Sequence, residues 1–297
     1  MAETPPRETV DLSMVTPALP LVSIITPSYN QGQFIEETVC SVMAQDYPKF
    51  EHLVIDGGST DDTLAVLKKY EGAYQMRWIS EADEGQADAI QKGFNLCQGD
   101  IICWLNSDDI YLSPQILSRV VSLFNSYPDV HVVTGGGVEL SSDGQWTRQI
   151  EIRPEYINYH RLRWADHVLQ PATFFRRELL LRVKLDTSLH YAFDWDLFLQ
   201  MARDCNFLAV NEPWAGYRMW GENKTGAGGS KRALELMEII SRYVGKLSYQ
   251  YVAVTGYYLL LRLSEVLPNR WQNRLKQIIR TFSTYVQVLT FHRITSV

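Results

Sequence analysis

The sequence predicts an α/β protein built on a doubly wound, mostly parallel sheet with helices on both faces. Short apolar segments rich in β-forming residues alternate with segments whose apolar residues recur at helical spacing. This alternation is typical of parallel strands, which are covered on both faces and therefore apolar throughout. With 297 residues, of which 46% are hydrophobic, the chain can bury a sizeable core.

The elements follow one another from residue 21 onwards. The predicted strands are 21–26, 52–56, 76–80 and 101–106, and the predicted helices between them are 33–45, 60–70 and 85–96. Ligands of doubly wound sheets bind outside the carboxyl ends of the strands. The loops that follow the strands are therefore the candidate binding residues.

Three of these loops are polar, and two of them are acidic. The first, second and fourth strands run into Pro27-Ser28-Tyr29-Asn30, Asp56-Gly57-Gly58-Ser59-Thr60-Asp61 and Asn106-Ser107-Asp108-Asp109. Turn formation and helix capping account for any one loop alone. Acids that converge on one edge are costly unless a cation is present, and Mg²⁺ or Mn²⁺ accepts carboxylate and phosphate oxygens together. We therefore expect a metal-bound phosphorylated ligand.

Other binding chemistries are excluded by missing motifs. The sequence has no GxxxxGK[ST] loop, and no GxGxxG follows the first strand. The four cysteines lack ligand spacing and are interpreted as reduced core residues, while the six histidines form no i,i+4 pair. The chain carries a net charge of -6, and no nucleic-acid partner is expected.

An ordered set of motifs resembles glycosyltransferase family 2, which has the GT-A fold. The set comprises Pro27-Ser28-Tyr29-Asn30, Asp56-Gly57-Gly58-Ser59-Thr60-Asp61, Asp83-Glu84-Gly85-Gln86-Ala87-Asp88-Ala89, Lys92-Gly93 and Leu105-Asn106-Ser107-Asp108-Asp109. The resemblance covers residues 22–224. It implies an inverting glycosyltransferase that uses a nucleotide-sugar donor, most commonly a UDP-sugar.

The resemblance implies roles for individual residues on the donor side. The implied donor-binding residues are Pro27, Tyr29, Asn30, Asp56, Asp83, Lys92, Asn106, Ser107 and Asp108, with Asp56 beside the base. Asp108 is the implied ligand of Mg²⁺ or Mn²⁺, and Asp109 supports it or caps the turn. Asn106 replaces the first acid of the family's DxD motif, so restoring Asp at this position is expected to tighten metal binding.

The acceptor side is expected in the second half of the chain. A segment containing Gln170 resembles the stretch before the family's acceptor helix, and Asp194 lies in a segment that resembles its acidic catalytic motif. Asp194 is the expected general base, and N-capping of a helix 195–203 is the alternative role. Phe193 stands where the family commonly has Glu, which leaves Asp196 as a second candidate base.

The chain after the acidic motif suggests two further features. Arg218, Trp220 and Lys224 precede or lie within a glycine-rich stretch, which is expected to fold over the diphosphate as a lid, with a linker as the alternative. The expected organisation is a disordered arm at 1–20, a catalytic domain at 21–229 and a helical, basic extension at 230–297. No signal peptide is recognised at the start.

The extension bears on partners and location. Its apolar run 249–261 is too short to span a bilayer, and residues after 265 contribute five positive charges and no negative charge. Residues 249–293 are therefore candidates for contact with an anionic membrane surface, with packing on the catalytic domain or on a second copy in a homodimer as the alternative. We expect a cytoplasmic protein, or one held at the inner face of the cell membrane.

Three classes of function are compatible with the residues. The favoured one is sugar transfer to a polysaccharide or lipid-linked glycan acceptor in cell-envelope biosynthesis. A sugar-nucleotidyltransferase shares the sheet and the metal, but requires a glycine-rich basic loop where this chain has Pro27-Ser28-Tyr29-Asn30. A non-catalytic nucleotide- or sugar-binding module is the third, and it would not depend on Asp194.

Overall fold

The computed structural model describes residues 19–221 and 228–266. Their strands are β1 Val22–Ser28, β2 Phe50–Asp56, β3 Met76–Ser80, β4 Ile101–Trp104, β5 Ile110–Tyr111, β6 Val132–Leu140, β7 Trp146–Ile150, β8 Thr173–Arg176 and β9 Phe207–Arg218. Their α-helices are α1 Ile35–Met43, α2 Thr63–Tyr70, α3 Gln86–Leu96, α4 Ile116–Ser126, α5 Tyr159–Leu162, α6 Phe193–Asp204, α7 Gly229–Tyr243 and α8 Tyr249–Val266. The predicted strands and helices of the first half are all present, with small shifts at their ends.

The strands form one sheet in the order β3-β2-β1-β4-β8-β6-β9-β5, with β7 paired to β6. Strands β1 to β4 are mutually parallel where they pair. The register places Ser28 beside Asp56 and Ile25 beside Trp104, so the carboxyl ends of β1, β2 and β4 meet at one edge. The predicted doubly wound α/β fold is confirmed for this half.

The second half of the sheet is mixed, with both antiparallel and parallel pairs. Strand β6 pairs antiparallel with β7 and β8 and parallel with β9. A Cβ on Gly137 would lie 2.2 Å from the Ala215 carbonyl oxygen, so only glycine permits this approach of β9. Strand β9 also pairs with β5, which brings the end of β9 beside the turn that follows β4.

The helices α7 and α8 pack against the sheet. Ala233, Leu236, Ile239 and Ile240 of α7 and Val254 of α8 are buried in the same apolar cluster as the sheet and α6. The described part of the extension thus shares the core of the sheet, and the predicted domain boundary between residues 229 and 230 stays a prediction. An amphipathic pattern cannot by itself distinguish a helix on a membrane from a helix on its own domain.

One face of α8 remains exposed. Tyr249, Val252, Leu259 and Leu263 lie at helical spacing, and each is between 46% and 63% exposed. Among residues 19–221 and 228–266, no helix combines the length and apolar character needed to cross a bilayer. The predicted arm, apart from Leu19 and Pro20, and the tail after 266 lie outside the described residues.

Strand β2 carries a histidine inside the core. His52 is fully buried, with its Nε2 atom 2.8 Å from Thr26 Oγ1 and its Nδ1 atom 2.6 Å from the Tyr74 hydroxyl oxygen. Burial lowers the pKa of His52 to about 3, from 6.5 in an exposed side chain. The folded protein therefore holds a neutral imidazole at any pH above this value.

Stability is expected to fall as the pH is lowered, because between pH 6.5 and 3 only the unfolded chain protonates the His52 ring. Lowering the pH from 6.5 to 4.5 should cost about 2–3 kcal/mol through His52 alone. His52→Gln should be less stable at pH 7.5 but lose less stability on acidification. Urea unfolding at several pH values measures this, with exposed His160→Gln as the control. An unchanged pH dependence in His52→Gln would contradict the assignment.

Candidate functional site

The loop after β1 presents an aromatic ring to the cleft at the sheet edge. Asn30 adopts a left-handed conformation (φ 51°), which Asn tolerates better than most residues. Its backbone N–H donates to Ser59 Oγ at 2.7 Å, and its Oδ1 accepts from the Thr60 N–H at 2.9 Å. These bonds join the loops after β1 and β2 and leave Tyr29 59% exposed. The exposed ring is a flat surface on which a nucleobase can stack.

Asp56 supports this loop from inside the protein. It is fully buried and accepts hydrogen bonds from the N–H groups of Gly58 and Ser59 and from the hydroxyls of Ser59 and Ser80. The structure does not place Asp56 among the residues that line the cleft. Its observed contacts shape the loop, and its predicted contact with the base stays a prediction.

Asp83 does line the cleft, close to the turn after β2. A Cβ on Gly57 would lie 2.6 Å from Asp83 Oδ2, so the glycine lets the carboxylate approach the backbone. Burial raises the pKa of Asp83, while a hydrogen bond from the Gly85 N–H opposes this. Asp83 is thus a partly desolvated acid on the wall of the cleft, as its predicted place beside a ribose requires.

Asn106 is the centre of a hydrogen-bond network at the end of β4. Its Nδ2 donates to Asp109 Oδ2 and to Gln170 Oε1, both at 3.1 Å, and its Oδ1 accepts from Gln86 Nε2 at 2.7 Å. Gln170 in turn donates to the Trp104 carbonyl at 2.7 Å. The amide at position 106 therefore supplies donors that a carboxylate lacks. This explains the departure from an acid at this position.

Asp109 is a buried carboxylate inside the turn. It is fully buried, and burial together with the charge of Asp108 raises the pKa of Asp109 well above its usual range. The Arg218 N–H donates to Asp109 Oδ1 at 3.0 Å, opposite the bond from Asn106. Asp109 does not line the cleft, so it acts on the turn, as one of its two predicted roles required.

Arg218 holds the same turn from behind. Its side chain is fully buried, its Nε donates to the Asp108 carbonyl at 2.9 Å, and its Nη2 lies 2.7 Å from Glu37 Oε2. Its guanidinium also lies 4.8 Å from the centre of the Phe34 ring. Arg218 is the last residue of β9 and also lines the cleft, and its predicted lid role stays a prediction. Lys224, the other basic residue of that prediction, lies outside the described residues.

The carboxylate of Asp108 faces the cleft next to Trp220. The Trp220 indole N–H donates to Asp108 Oδ2 at 2.9 Å, and the Trp220 ring packs edge-on against Phe34 at 5.1 Å between centroids. Burial raises the pKa of Asp108, and the bond from Trp220 opposes this. A divalent cation would relieve the same cost of burying the charge. Asp108 thus fits its predicted role as a metal ligand.

A metal at this position would depend on ligands from the substrate. Across the part of the chain that the structure describes, no three His, Cys, Asp or Glu side chains come together as a metal site. Mg²⁺ is commonly bound through one or two carboxylates plus substrate phosphates. Asp108 together with a diphosphate matches that arrangement. The side-chain oxygen of Asn106 already accepts a hydrogen bond from Gln86.

The two acids at the start of α6 have different surroundings. Asp194 is the second residue of α6 and lines the cleft. Asp196 is fully buried and accepts from Gln200 Nε2 at 2.7 Å, Arg242 Nη1 at 2.8 Å and the Tyr243 hydroxyl at 3.0 Å. Asp196 therefore joins α6 to α7, and its prediction as a second candidate base is wrong. Asp194 does not cap the helix either, because the N-cap residue is Ala192.

One cleft of about 1020 Å³ collects most of the predicted residues. It is lined by Pro27, Tyr29, Asn30, Asp83, Asn106, Ser107, Asp108, Gln170, Asp194 and Trp220. Lys92 does not line it, because its Nζ lies 3.1 Å from Glu81 and 3.5 Å from Asp88. The carboxyl ends of three strands and the start of α6 thus form one site.

The cleft also contains residues that the sequence did not single out. They are Ser28, Arg148, Glu151, Asp166, His190 and Arg232. The Ser28 hydroxyl is buried without a hydrogen-bond partner among the described residues and so remains available to a ligand. Ser28 belongs to the polar loop after the first strand, Pro27-Ser28-Tyr29-Asn30, so its position in the sequence could have identified it. The others come from β7, α7 and loops whose approach depends on tertiary contacts.

Solved structures share this fold. The Staphylococcus aureus TarS 1–349 structure in complex with UDP-GlcNAc superposes with a TM-score of 0.61 at 16% identity, over 91% of this chain and 83% of that one. The mannosyltransferase PcManGT from Pyrobaculum calidifontis, in complex with GDP-Man and Mn²⁺, superposes with a TM-score of 0.60 at 19% identity, over 91% and 84%. The fold is that of the GT-A glycosyltransferases.

Sequence comparison identifies the family within that class. The family description "Glycosyl transferase family 2" matches residues 23–183, so the chain belongs to this family. An uncharacterized glycosyltransferase of Mycobacterium tuberculosis is 37% identical over 121 residues, which are 40% of this chain and 46% of that protein. The putative teichuronic acid biosynthesis glycosyltransferase TuaG of Bacillus subtilis is 41% identical over 92 residues, 30% and 36% of the two chains. The matches thus span less than half of these two relatives.

Replacing Asn106 by Asp tests the network at the end of β4. The new carboxylate would face the Asp109 carboxylate and the Gln170 side-chain oxygen Oε1 and could donate to neither. The metal-free protein should therefore lose about 1–3 kcal/mol of stability. Mn²⁺ with UDP should then restore more stability than it adds to the wild type. Thermal unfolding with and without both ligands measures this, with Asn95→Asp on the exposed face of α3 as control. A metal-free variant as stable as the wild type would contradict the network.

Proposed function

We propose that this protein is a metal-dependent, inverting glycosyltransferase that moves a sugar from a nucleoside diphosphate donor to an acceptor hydroxyl. The observation that carries the proposal is a single cleft with Asp108 at the end of β4 and Asp194 at the start of α6. Family membership supports sugar transfer as the reaction. Two separate acids are what the reaction requires, one for the leaving diphosphate and one for the acceptor proton.

The proposed donor is a UDP-sugar. Tyr29 and Pro27 offer a surface for the base, Asp83 lies where a ribose would bind, and Asp108 lies where the diphosphate would bind. The structural neighbours support a nucleotide-sugar, since one is complexed with UDP-GlcNAc and another with GDP-Man and Mn²⁺. The proposed cofactor is Mg²⁺ or Mn²⁺, which would be held by Asp108 and would stabilise the negative charge on the departing diphosphate.

In the proposed reaction Asp194 accepts the proton of the acceptor hydroxyl. The hydroxyl oxygen forms a bond to the anomeric carbon as the bond from that carbon to the diphosphate oxygen breaks, with the electron pair leaving on the diphosphate. Attack from the face opposite the leaving group inverts the configuration. Arg232 also lines the cleft and adds positive charge to it.

The proposed acceptor is a polysaccharide or a lipid-linked glycan of the cell envelope. The name of TuaG, a putative teichuronic acid biosynthesis glycosyltransferase, supports a polysaccharide. We further propose a cytoplasmic protein that contacts the inner face of the membrane through the exposed apolar residues of α8 and the basic tail. Exposed apolar side chains that several cations follow in the sequence favour an anionic lipid surface.

Replacing Asp194 by Asn tests the proposed base. Asn accepts no proton, so turnover should fall by about 10²- to 10⁴-fold while UDP binding stays within twofold of the wild type. The measurement is metal-dependent release of UDP from a panel of nucleotide sugars, with UDP affinity from calorimetry. Near-normal turnover in Asp194→Asn with intact UDP binding would overturn the assignment.

Asp196→Asn is the matched comparison two residues away. It removes a buried partner of Arg242 and Tyr243, so it should lower the melting temperature. Turnover per folded molecule at a temperature below its transition should fall far less than in Asp194→Asn, because Asp196 does not line the cleft. Conversion of the UDP-sugar and added pyrophosphate to UTP and a sugar 1-phosphate, in place of UDP release, would instead support a nucleotidyltransferase.

Vesicle binding tests the proposed membrane contact. The wild type should co-sediment with phosphatidylglycerol vesicles and not with phosphatidylcholine vesicles, and high salt should release it. The double variant Val252→Ser and Leu259→Ser should bind more weakly, whereas Leu181→Ser, which changes a 90% exposed leucine elsewhere, should bind as the wild type. Binding that ignores salt, or no binding, would contradict the electrostatic contact.

A further inference from the structure

The segment that carries Asp194 is fixed by a carboxylate from another helix. Glu235 of α7 accepts the backbone N–H of His190 on Oε1 at 2.8 Å. Its Oε2 accepts the N–H groups of Tyr191 and Ala192 at 2.7 and 3.1 Å. Three consecutive amides at the entry to α6 thus share one side chain that is 43 to 45 residues away in sequence.

Glu235 anchors the residues that lead into α6. The N-cap residue of α6 is Ala192, whose side chain accepts no hydrogen bond. Glu235 accepts the N–H of Ala192 and of the two residues before it. A carboxylate at this end forms charge-assisted hydrogen bonds and is favoured by the helix dipole. Asp194, whose Oδ1 accepts the Trp195 N–H at 2.8 Å, follows this anchored stretch and lines the cleft.

The same helix holds the first turn of α6 at a second place. Arg242 and Tyr243 of α7 bind Asp196, two residues after Asp194. A Cβ on Gly228 would lie 2.9 Å from the Tyr191 ring, so the start of α7 also packs directly on this segment. Asp194 thus lies between two contacts, at 190–192 and at 196, that both come from α7.

The segment fixed by Glu235 also contacts the donor side of the cleft. A Cβ on Gly85 would lie 3.4 Å from His190 Nδ1, and Gly85 has a positive φ of 121°. The Gly85 N–H donates to Asp83. Gly85 precedes α3, whose first residue, Gln86, donates to Asn106. The His190 side chain, next to the segment fixed by Glu235, therefore lies against the loop that carries the donor-binding residues.

We infer that Glu235 is a positioning residue for sugar transfer, acting through the backbone of residues 190–192 on the direction of the Asp194 carboxylate. The inference rests on the proposed role of Asp194 as general base. Glu235 touches neither donor nor acceptor in this role. A misplaced base lowers the rate of the chemical step without weakening the binding of the donor.

The experiment compares Glu235→Ala and Glu235→Gln with Glu238→Ala in the full chain. Glu238 lies one turn further along α7 and binds Arg242 at 2.9 Å, so its loss changes charge on the same helix without touching residues 190–192. The readouts are amide hydrogen exchange of residues 190–194, kcat, donor KM and the melting temperature. Exchange tests the anchor directly and requires no turnover.

Glu235→Ala should speed exchange at residues 190–192 and lower kcat at least about tenfold, with donor KM within about twofold of the wild type. Glu235→Gln retains one acceptor oxygen, so its exchange rates at residues 190–192 and its kcat should lie between those of Glu235→Ala and the wild type. Glu238→Ala should match the wild type in exchange and in kcat. If Glu235→Ala proves unstable, the glutamine variant carries the comparison at a temperature below its transition.

Three outcomes would overturn the inference while the proposed function stands. One is unchanged exchange at 190–192 in Glu235→Ala, and another is faster exchange with unchanged kcat. A loss of kcat matched by an equal loss in Glu238→Ala would also overturn it, because a general effect of α7 would then explain both. Failure of the proposed function is distinct, since Asp194→Asn would then keep its turnover whatever Glu235 does.

Discussion

The burial of the Arg218 guanidinium is the interaction on which the rest of the site depends. A buried cation is costly unless its hydrogen bonds are satisfied, and Arg218 satisfies them with the Asp108 carbonyl, Glu37 and the carbonyls of Ser141 and Ser142. These contacts join the turn after β4 to α1, to the turn after β6 and to the end of β9. The turn is therefore fixed by three separate parts of the chain before any ligand binds.

This fixed turn accounts for the division of labour between neighbouring acids. Asp109 points inward to Arg218 N–H and Asn106, and burial raises its pKa. Asp108 consequently faces the cleft, where Trp220 orients one of its oxygens. Partners that orient a metal ligand in this way commonly strengthen its binding to the metal. The side-chain amide of Asn106 is part of the same hydrogen-bond network, because a carboxylate at this position would repel Asp109.

The donor half of this site could be predicted from the sequence because it depends on local order. Strand periodicity and the rule that ligands bind at carboxyl ends placed Tyr29, Asp83 and Asp108 together, and the structure confirms that they share a cleft. Asp56 and Lys92 show the limit of this reasoning. Their sequence context placed them near the edge, but hydrogen bonds and ion pairs direct their side chains away from the cleft.

The other half depends on contacts between distant residues, which local patterns do not encode. Asp194 and Asp196 are near neighbours in sequence, yet α7 buries one and leaves the other in the cleft. The buried side chain of Arg218 binds the turn after β4, because β9 pairs with β5 and β6. The family match ends at residue 183, so the proposed base and its anchor Glu235 lie after the matched region.

Anomalous diffraction from crystals grown with Mn²⁺ and UDP tests the central claim most directly, because it locates the metal without reference to turnover. The proposed site requires one manganese peak within bonding distance of an Asp108 carboxylate oxygen and of the diphosphate, with Asp109 still bound to the Arg218 N–H. A fully occupied UDP molecule with no manganese at Asp108, or with manganese bound elsewhere, would contradict this account.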